Sequence, residues 1–336
     1  MRKITKTVSV GGILIGGGNP ISIQSMTNTK THDIEATLAQ IETLSAAGCD
    51  IVRLAIPDET AAKTLPKIKA RTKVPLVADI HFDYRLALMA IDGGADKIRI
   101  NPGNTKNTKE IVRAAQERNI PIRIGVNSGS TTGDMVDAAT RQIELLEYEN
   151  IVVALKSSNV MKTIAAYRLF SDTYDYPLHI GVTEPGVTEA GLIKSAIGIG
   201  NLLLNGIGDT IRVSLTADPV KEVYAAQEIL RATGIETGGV EVISCPTCGR
   251  CNIDLIPLAQ EVYTKTRHIR KPLKIAVMGC AVNGPGEARE ADLGIAGGLG
   301  EAILFKKGDI IRKIKEDEIV KELLKEIQNG DAERNI

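Results

Sequence analysis

The chain has 336 residues, and its 41 Lys and Arg balance its 41 Asp and Glu, so that the formal charge is zero. Neutrality, 3% aromatic residues and the absence of Trp argue against a dedicated nucleic-acid-binding protein, which usually carries a basic excess and stacking aromatic side chains. A hydrophobic content of 43% argues against disorder, and no apolar run reaches the roughly 18 residues needed to cross a bilayer.

The first 20 residues predict a short β-hairpin, with strands Thr7–Val10 and Ile13–Ile15 on either side of a Gly11-Gly12 turn. This segment is charged but has no apolar stretch of the kind found in secretory signals. We therefore expect a cytoplasmic protein, and an enzyme is the favoured class.

Eight short apolar runs alternate with amphipathic stretches between Ile21 and Thr216, and their starts lie 22 to 32 residues apart. Each interval has room for one helix and two loops, which is the βα spacing of a parallel sheet. Eight such units predict a (β/α)8 TIM barrel rather than a doubly wound sheet, which usually has fewer strands. The runs begin at Ile21, Asp50, Pro75, Lys97, Pro121, Ile151, Leu178 and Thr210. Helices are predicted at Ile34–Ala47, Asp83–Ile91, Thr108–Arg118 and Gly133–Glu149.

The alternation of predicted strands and helices stops near Gly234–Gly239. This predicts a barrel over residues 1–237 and a small α+β domain over 238–336. A Gly-rich segment at 294–300 lies between the predicted elements of the second domain and receives no strand of its own. The elements predicted there are strands Val240–Ser244 and Lys274–Met278, a strand pair in Ala302–Ile311, and helices Asp254–Thr266 and Glu316–Gln328.

Charged and polar side chains mark the carboxyl ends of the predicted barrel strands, in pairs spaced so that both members share one face. In a barrel these ends surround one mouth, and five cations gathered there need an anionic ligand, because buried charges of one sign repel. Arg forks suit phosphate oxygens in particular. We therefore expect a phosphate or diphosphate site formed by Arg53, Arg99, Asn101, Arg123, Asn127, Lys156, Ser158, Arg212 and Ser214.

Three titratable side chains at the same strand ends are candidates for proton transfer: Asp79, His81 and Glu184. His81 follows Asp79 by two residues, so both would face the same side of their strand. His179 lies near the start of its strand and is expected at the opposite end of the barrel.

Four of the five cysteines lie in the predicted second domain. Cys245, Cys248 and Cys251 form a C-x₂-C-x₂-C motif, and Cys280 follows a predicted strand. Nothing marks the chain for an oxidising compartment, so metal binding is favoured over disulfides. A zinc ribbon would need a second closely spaced pair, whereas an iron–sulfur cluster accepts scattered ligands. Iron–sulfur is favoured, and zinc stays open as the alternative.

Eight motifs together resemble those of the bacterial 4-hydroxy-3-methylbut-2-en-1-yl diphosphate synthases, in their two-domain form. The resemblance spans nearly the whole chain, and the last two motifs are the most specific. The motifs are QSMTNT at 24–29, RLAIP at 53–57, ADIHF at 78–82, RINPGN at 99–104, IGVNSGS at 124–130, HIGVTE at 179–184, SCPTCGR at 244–250 and VMGCAVNGPGEAREADLG at 277–294.

The resemblance implies a [4Fe–4S] cluster held by Cys245, Cys248, Cys280 and Glu287. Spacing alone would choose Cys251 as the fourth ligand, but the family usually has a residue other than Cys at that position, and Cys251 is therefore expected not to bind iron. The resemblance also implies that Glu184 is the acid/base and that Asn283 orients the substrate.

The implied reaction is the reductive ring opening of 2-C-methyl-D-erythritol 2,4-cyclodiphosphate in the non-mevalonate isoprenoid pathway. Two electrons would come one at a time from flavodoxin or ferredoxin. The resemblance further implies a homodimer in which the active site is shared between chains. Two alternatives remain from the residues alone: a barrel phosphate-sugar lyase or isomerase with structural zinc, and a redox-sensing protein whose cluster performs no catalysis.

Overall fold

The computed structural model describes residues 2–101, 105–127, 134–235, 238–281 and 288–332. Two units divide the chain, Met1–Glu236 and Thr237–Ile336. Among the described residues, no helix has the length and apolar character needed to cross a membrane.

Eight parallel strands form the predicted barrel in the first unit. Their order is β8-β7-β6-β5-β4-β3-β10-β9, and a parallel bridge between Val153 and Leu178 joins the two ends of this series. A two-stranded hairpin precedes the barrel, as predicted. The hairpin strands are β1 Val8–Val10 and β2 Ile13–Ile15, and the barrel strands are β3 Ser22–Met26, β4 Ile51–Ala55, β5 Leu76–Asp79, β6 Lys97–Ile100, β7 Ile122–Asn127, β8 Ile151–Lys156, β9 His179–Ile180 and β10 Thr210–Ile211.

A helix follows each barrel strand, and the four predicted helices are confirmed to within a few residues. Several of the helices begin at an Asp whose carboxylate accepts a backbone N–H of the first turn, which satisfies a donor that has no partner within the helix. The helices are α1 Ile34–Ala47, α2 Glu59–Lys69, α3 Tyr84–Asp92, α4 Thr108–Glu117, α5 Met135–Leu146, α6 Val160–Thr173, α7 Thr188–Leu204 and α8 Pro219–Ala232.

The two faces of the barrel strands differ in polarity. Alternate residues such as Ile98, Ile122 and Ile124 point toward the helices and belong to a large apolar core. On the inner face, residues near the strand starts form a smaller apolar cluster with the hairpin, made of Ile51, Val77 and Val152 with Val8, Val10 and Ile15. Farther along the strands the inner face becomes polar and charged, which departs from the branched apolar filling usual in such barrels.

The second unit is a five-stranded mixed sheet with helices, in the strand order β11-β12-β13-β14-β15. The strands β11, β12 and β13 are parallel, and β14 and β15 pair antiparallel to their neighbours. The elements are β11 Val240–Ser244, α9 Leu255–Thr266, β12 Leu273–Met278, β13 Leu293–Gly297, β14 Glu301–Lys306, β15 Asp309–Lys315, a 3₁₀ turn Glu316–Glu318 and α10 Ile319–Ala332.

The central strand β13 was not predicted, because its glycines indicated a loop. Gly294 is required by packing: a Cβ at this position would lie 2.4 Å from Cζ of Phe305 on the paired strand β14. The ring therefore occupies the space that a side chain would take. A glycine that normally weakens a strand here permits close contact between neighbouring strands.

Candidate functional site

The barrel brings the five predicted cations into one buried group. Arg99 and Arg123 face each other directly across β6 and β7, and they are 7% and 3% exposed. The side chains of Arg53 and Arg212 are 12% and 16% exposed, and Lys156 is buried as well. The predicted convergence of charge therefore exists, and it lies deeper in the barrel than a solvent-facing rim.

Asp79 on β5 is the carboxylate at the centre of this group. Its Oδ1 lies 3.1 Å from Arg99 Nη1, and its Oδ2 lies 3.8 Å from Arg53 Nε. The ring of His81 is more exposed, with Nε2 3.4 Å from Asp79 Oδ2. Burial alone would raise the pKa of Asp79, but Arg53, the hydrogen bond with His81 and Arg99 together hold the pKa well below its usual range.

Burial and mutual repulsion both lower the pKa values of the cations. Burial lowers the pKa of Arg53 to about 10, which leaves its guanidinium charged at neutral pH. The pKa of Lys156 is lowered by burial and by Arg123, Arg212 and Arg53. The pKa of Arg123 is also lowered by burial and by neighbouring Arg side chains, yet a guanidinium keeps its proton in proteins.

A second carboxylate, Glu222 on α8, was not identified from the sequence. Glu222 Oε2 lies 3.4 Å from Arg212 Nε and accepts a hydrogen bond of 3.0 Å from the Ser25 hydroxyl. Its other oxygen accepts the Leu215 N–H at 3.0 Å. Because Glu222 lies on a helix, the pattern of charges at strand ends gave no signal for it.

The remaining predicted residues lie at or after the barrel strands and differ in burial. Asn101 is buried and its Oδ1 accepts a hydrogen bond from Gln142 Nε2 at 3.1 Å. Asn127 and Ser214 are half-buried, and Ser158 is exposed. Asn283 and Glu287 lie outside the described residues.

Glu184 lies in the loop after β9, exposed, with a backbone φ of 49°. This left-handed conformation is uncommon for a residue other than Gly, and the Pro at position 185 further disfavours helical backbone angles in the residue before it. Strained backbone of this kind is concentrated at functional sites.

Gly181 on the inner face makes space for Lys156. A Cβ at Gly181 would lie 2.7 Å from Lys156 Nζ and 2.4 Å from the carbonyl oxygen of Arg212. The backbone oxygen cannot move aside as a flexible side chain could, so any side chain at this position would disturb the group of cations.

Further basic side chains lie inside the barrel that the sequence analysis did not assign to the site. Lys97 on β6 is fully buried, and its Nζ donates to Gln24 Oε1 at 3.2 Å. His179 on β9 is also fully buried. The alternation of Lys97 with Arg99 along β6 is the signal that could have identified Lys97.

In the second unit, the cysteines gather where β11 and β12 end. Ser244 pairs with Val277 in a parallel register, so Cys245 and Cys280 follow neighbouring strand ends. The Gly279 N–H donates to Cys245 Sγ at 3.3 Å. A Cβ at Gly279 would lie 2.5 Å from Cys251 Sγ, which places Cys251 beside the same backbone.

The donor set of this region fits an iron–sulfur cluster in kind. Cys245, Cys248, Cys251 and Cys280 are all free thiols, and a backbone N–H directed at a sulfur is a contact that tunes such clusters. Within the described residues, no three Cys, His, Asp or Glu side chains are already arranged as a metal-binding group.

Comparison with known families gives two matches that together cover most of the chain. The GcpE TIM-barrel domain matches residues 5–227, and the GcpE protein C-terminal domain matches residues 241–329.

Curated relatives align over nearly their full length. The 4-hydroxy-3-methylbut-2-en-1-yl diphosphate synthase (flavodoxin) of Caldanaerobacter subterraneus is 58% identical, covering 98% of this chain and 98% of the relative. The enzymes of the same name from Thermodesulfovibrio yellowstonii and Geobacillus kaustophilus are each 55% identical over 97% of this chain, covering 99% and 92% of the relatives.

Solved structures resemble the barrel at low sequence identity. N-acetylneuraminic acid synthetase of Leptospira borgpetersenii matches with a TM-score of 0.52 at 16% identity, covering 70% of this chain and 91% of that chain. Dihydropteroate synthase of Yersinia pestis matches with a TM-score of 0.50 at 15% identity, covering 68% and 99%. These likenesses support the barrel fold and nothing about the reaction.

The role of Asp79 leads to a prediction about stability. Asp79→Asn should lower the free energy of unfolding by about 3 kcal/mol at neutral pH, because Arg53 and Arg99 would lose a buried counter-charge. Since the pKa of Asp79 is lowered, its contribution is present above the ordinary carboxyl pKa of about 4 and is lost as the pH falls below it. Thermal and denaturant unfolding across this pH range measures the effect.

Added inorganic diphosphate should raise the melting temperature of the Asp79→Asn protein more than that of the wild type, because the anion replaces the missing negative charge. Asp92→Asn, at an exposed carboxylate paired with Arg118, is the matched control and should change little. Equal stability of Asp79→Asn and wild type without anion would contradict the assigned role.

Proposed function

The chain belongs to the GcpE family, and we propose that it carries out the reaction for which its curated relatives are named. It is an oxidoreductase that opens the ring of 2-C-methyl-D-erythritol 2,4-cyclodiphosphate and forms 4-hydroxy-3-methylbut-2-enyl diphosphate and water, in isoprenoid precursor biosynthesis. The observation that carries this proposal is the buried group of cations in the barrel, because its excess of positive charge requires a compact polyanion.

The cations bind the diphosphate and hold it in one orientation. Arg99 and Arg123 present neighbouring guanidinium groups, and Arg53 is held by Asp79 on the adjacent strand. Charge-assisted hydrogen bonds to phosphate oxygens from several directions fix the substrate, while Asn101, Asn127, Ser158 and Ser214 supply polar groups around it. Burial makes the contacts of the cations stronger than they would be in water.

Proton transfer falls to Glu184 and His81 rather than to Asp79. A carboxylate with a pKa as low as that of Asp79 is a weak base and stays ionised, so Asp79 orients Arg53 and Arg99. Glu184, in its strained loop at the carboxyl end of β9, is free to supply the proton that turns the departing oxygen into water. His81 contacts both Asp79 and Arg99 and can orient the substrate or assist Glu184.

Cys245, Cys248, Cys280 and Glu287 would hold a [4Fe–4S] cluster, which supplies electrons one at a time when it is bound. The Gly279 N–H that points at Cys245 Sγ stabilises negative charge on that sulfur. The thiol of Cys251 lies 3.3 Å from the carbonyl oxygen of Ile253, a contact that suits a protonated thiol better than a ligand. Asn283 is proposed to orient the substrate beside this centre.

The same proposal implies an electron donor and a second copy of the chain as partners. The relatives are named for flavodoxin, and a flavodoxin is the proposed electron donor, with ferredoxin as the alternative. We also propose a homodimer that shares its active site between chains, supported by the sequence resemblance. A cytoplasmic location fits the free thiols, which a reducing compartment preserves.

Turnover of the cyclic diphosphate tests the function. Protein reconstituted anaerobically with iron and sulfide should convert it to the linear diphosphate with a chemical reductant. Arg123→Met should reduce kcat/KM by about 10- to 100-fold, since a charged hydrogen bond in a buried site is lost. Arg113→Met, at an exposed residue on α4, is the control. A reconstituted wild type that does not turn over this substrate would contradict the proposal.

The ligand assignment makes Cys251 dispensable for cluster binding. We expect Cys251→Ser to keep the iron and sulfide content and the visible absorption of the wild type, whereas Cys245→Ser should lose both. If Cys251→Ser lost the cluster and Glu287→Ala retained it, the fourth ligand would be Cys251 instead.

The shared active site predicts complementation between two inactive chains. Mixing Glu184→Gln with Cys280→Ser protein should restore part of the activity, because one mixed site receives both an intact acid and an intact cluster. Each variant alone serves as the control. Mixed dimers without activity would count against a site shared between subunits.

A further inference from the structure

Lys97 and His179 lie inside the barrel and have no part in the function proposed above. Each is the first residue of its strand, β6 and β9. Both side chains are 0% exposed. Lys97 precedes Arg99 by two residues and so shares the inner face of β6 with it. Both lie closer to the amino ends of the strands than the cations of the mouth do.

The polar atoms of this region are poorly satisfied. Lys97 Nζ donates to the neutral amide oxygen of Gln24 at 3.2 Å. Gln24 Nε2 and both ring nitrogens of His179 have no hydrogen-bond partner in the part of the chain that the structure describes. Lys97 is therefore buried against a neutral amide oxygen rather than a carboxylate, an environment that disfavours its charged form.

The side chains named as acting on the charge of these two residues are basic. Arg53 on β4 and Arg123 on β7 act on Lys97, and His179 is acted on by Lys156, Arg123, Lys97 and Arg53. The nearby carboxylates are already engaged, Asp79 with Arg99 and Glu222 with Arg212. Burial and this like charge lower the pKa of both Lys97 and His179 well below their ordinary values.

We propose that Lys97 belongs to the diphosphate site as a proton acceptor, which takes a proton from solvent when the anion binds. The inference rests on the proposed function, because it requires an anion among the cations of the barrel. The negative charge of a diphosphate reverses the potential at Lys97, so that the ammonium form becomes favourable. No covalent bond of the ligand changes: one proton leaves the buffer and one amine becomes an ammonium group.

Proton uptake makes the affinity depend on pH in a defined direction. In the free protein, full burial and like charge favour the amine form of Lys97, whereas in the complex the anion favours the ammonium form, so binding strengthens at lower pH. Between the lowered pKa of the free protein and the higher pKa of the complex, one proton taken up weakens binding by about tenfold for each unit of rising pH. The site thereby selects ligands with enough negative charge to draw a proton into the barrel.

Titration calorimetry with inorganic diphosphate tests the proposal on the full chain as purified. The binding enthalpy is measured near neutral pH in buffers of different ionisation enthalpy, and its slope gives the number of protons taken up. The Lys97→Met protein should take up about one proton fewer than the wild type. Protons bound by diphosphate itself are common to both proteins and cancel in the difference.

Met replaces the buried amine with an apolar chain of similar length, so the variant should fold at least as well as the wild type. Lys63→Met, at an exposed lysine on α2, controls for loss of a positive charge elsewhere and should keep the wild-type uptake.

Each outcome of these measurements either supports or overturns the proposal about Lys97. Reduced uptake in Lys97→Met, with a shallower pH dependence of Kd, supports the proposal. Diphosphate binding with the same uptake in both proteins overturns it while leaving the proposed function intact. Should Lys97→Met fail to fold, a wild-type affinity that does not change with pH beyond the titration of diphosphate itself overturns it equally. An absence of diphosphate binding to the wild type would overturn the anion site as well.

Discussion

The burial of positive charge inside the barrel is the constraint on which the rest of this structure depends. In the part of the chain that the structure describes, five cationic side chains lie in the interior, and the carboxylates beside them are those of Asp79 and Glu222. An uncompensated buried charge costs several kcal/mol, and a chain that retains such an excess must gain something from it. In the proposed function the compensating gain is affinity for a polyanion, because the cations are already shielded from water before the ligand binds. The five are Arg53, Arg99, Arg123, Lys156 and Arg212.

The surrounding fold supplies the stability that this interior does not. The outer face of the barrel strands and the facing helices form one continuous apolar core, and the hairpin covers apolar residues near the strand starts, such as Ile51 and Val152. The charged side chains lie on the inner face of the barrel strands, farther along the strands than the residues that the hairpin covers. Gly181 leaves space for the Lys156 side chain at this level of the barrel. Asp218 and the other helix-capping carboxylates accept hydrogen bonds from backbone N–H groups rather than pairing with the buried cations. The excess of positive charge is thus preserved by the same elements that stabilise the barrel.

The fold and the mouth of the barrel could be predicted from the sequence because both follow from periodicity. Strands recur at regular intervals, and residues two apart share a face, so Arg99 and Asn101 could be placed at one strand end without coordinates. The same reasoning did not reach Glu222, because a helix residue is brought to the site only by tertiary packing. It did not reach β13 either, where Gly294 looks like a loop residue until the ring of Phe305 is seen beside it. Periodicity predicts elements, whereas contacts between distant segments decide which side chains meet.

The side chains of the two proposed sites carry charge of opposite sign. In the proposed function, the barrel would concentrate positive charge for a diphosphate. The cysteine region would have to stabilise negatively charged thiolates, and the donor that lies there is a neutral backbone group, the Gly279 N–H at Cys245 Sγ. A guanidinium at that sulfur would hold negative charge more strongly than an amide and would oppose the ligation of positively charged iron. A backbone N–H carries only a partial charge, so it stabilises the thiolate without competing with the metal. Placing arginines on barrel strands and cysteines at the ends of β11 and β12 allows each chemistry the charge environment that it needs.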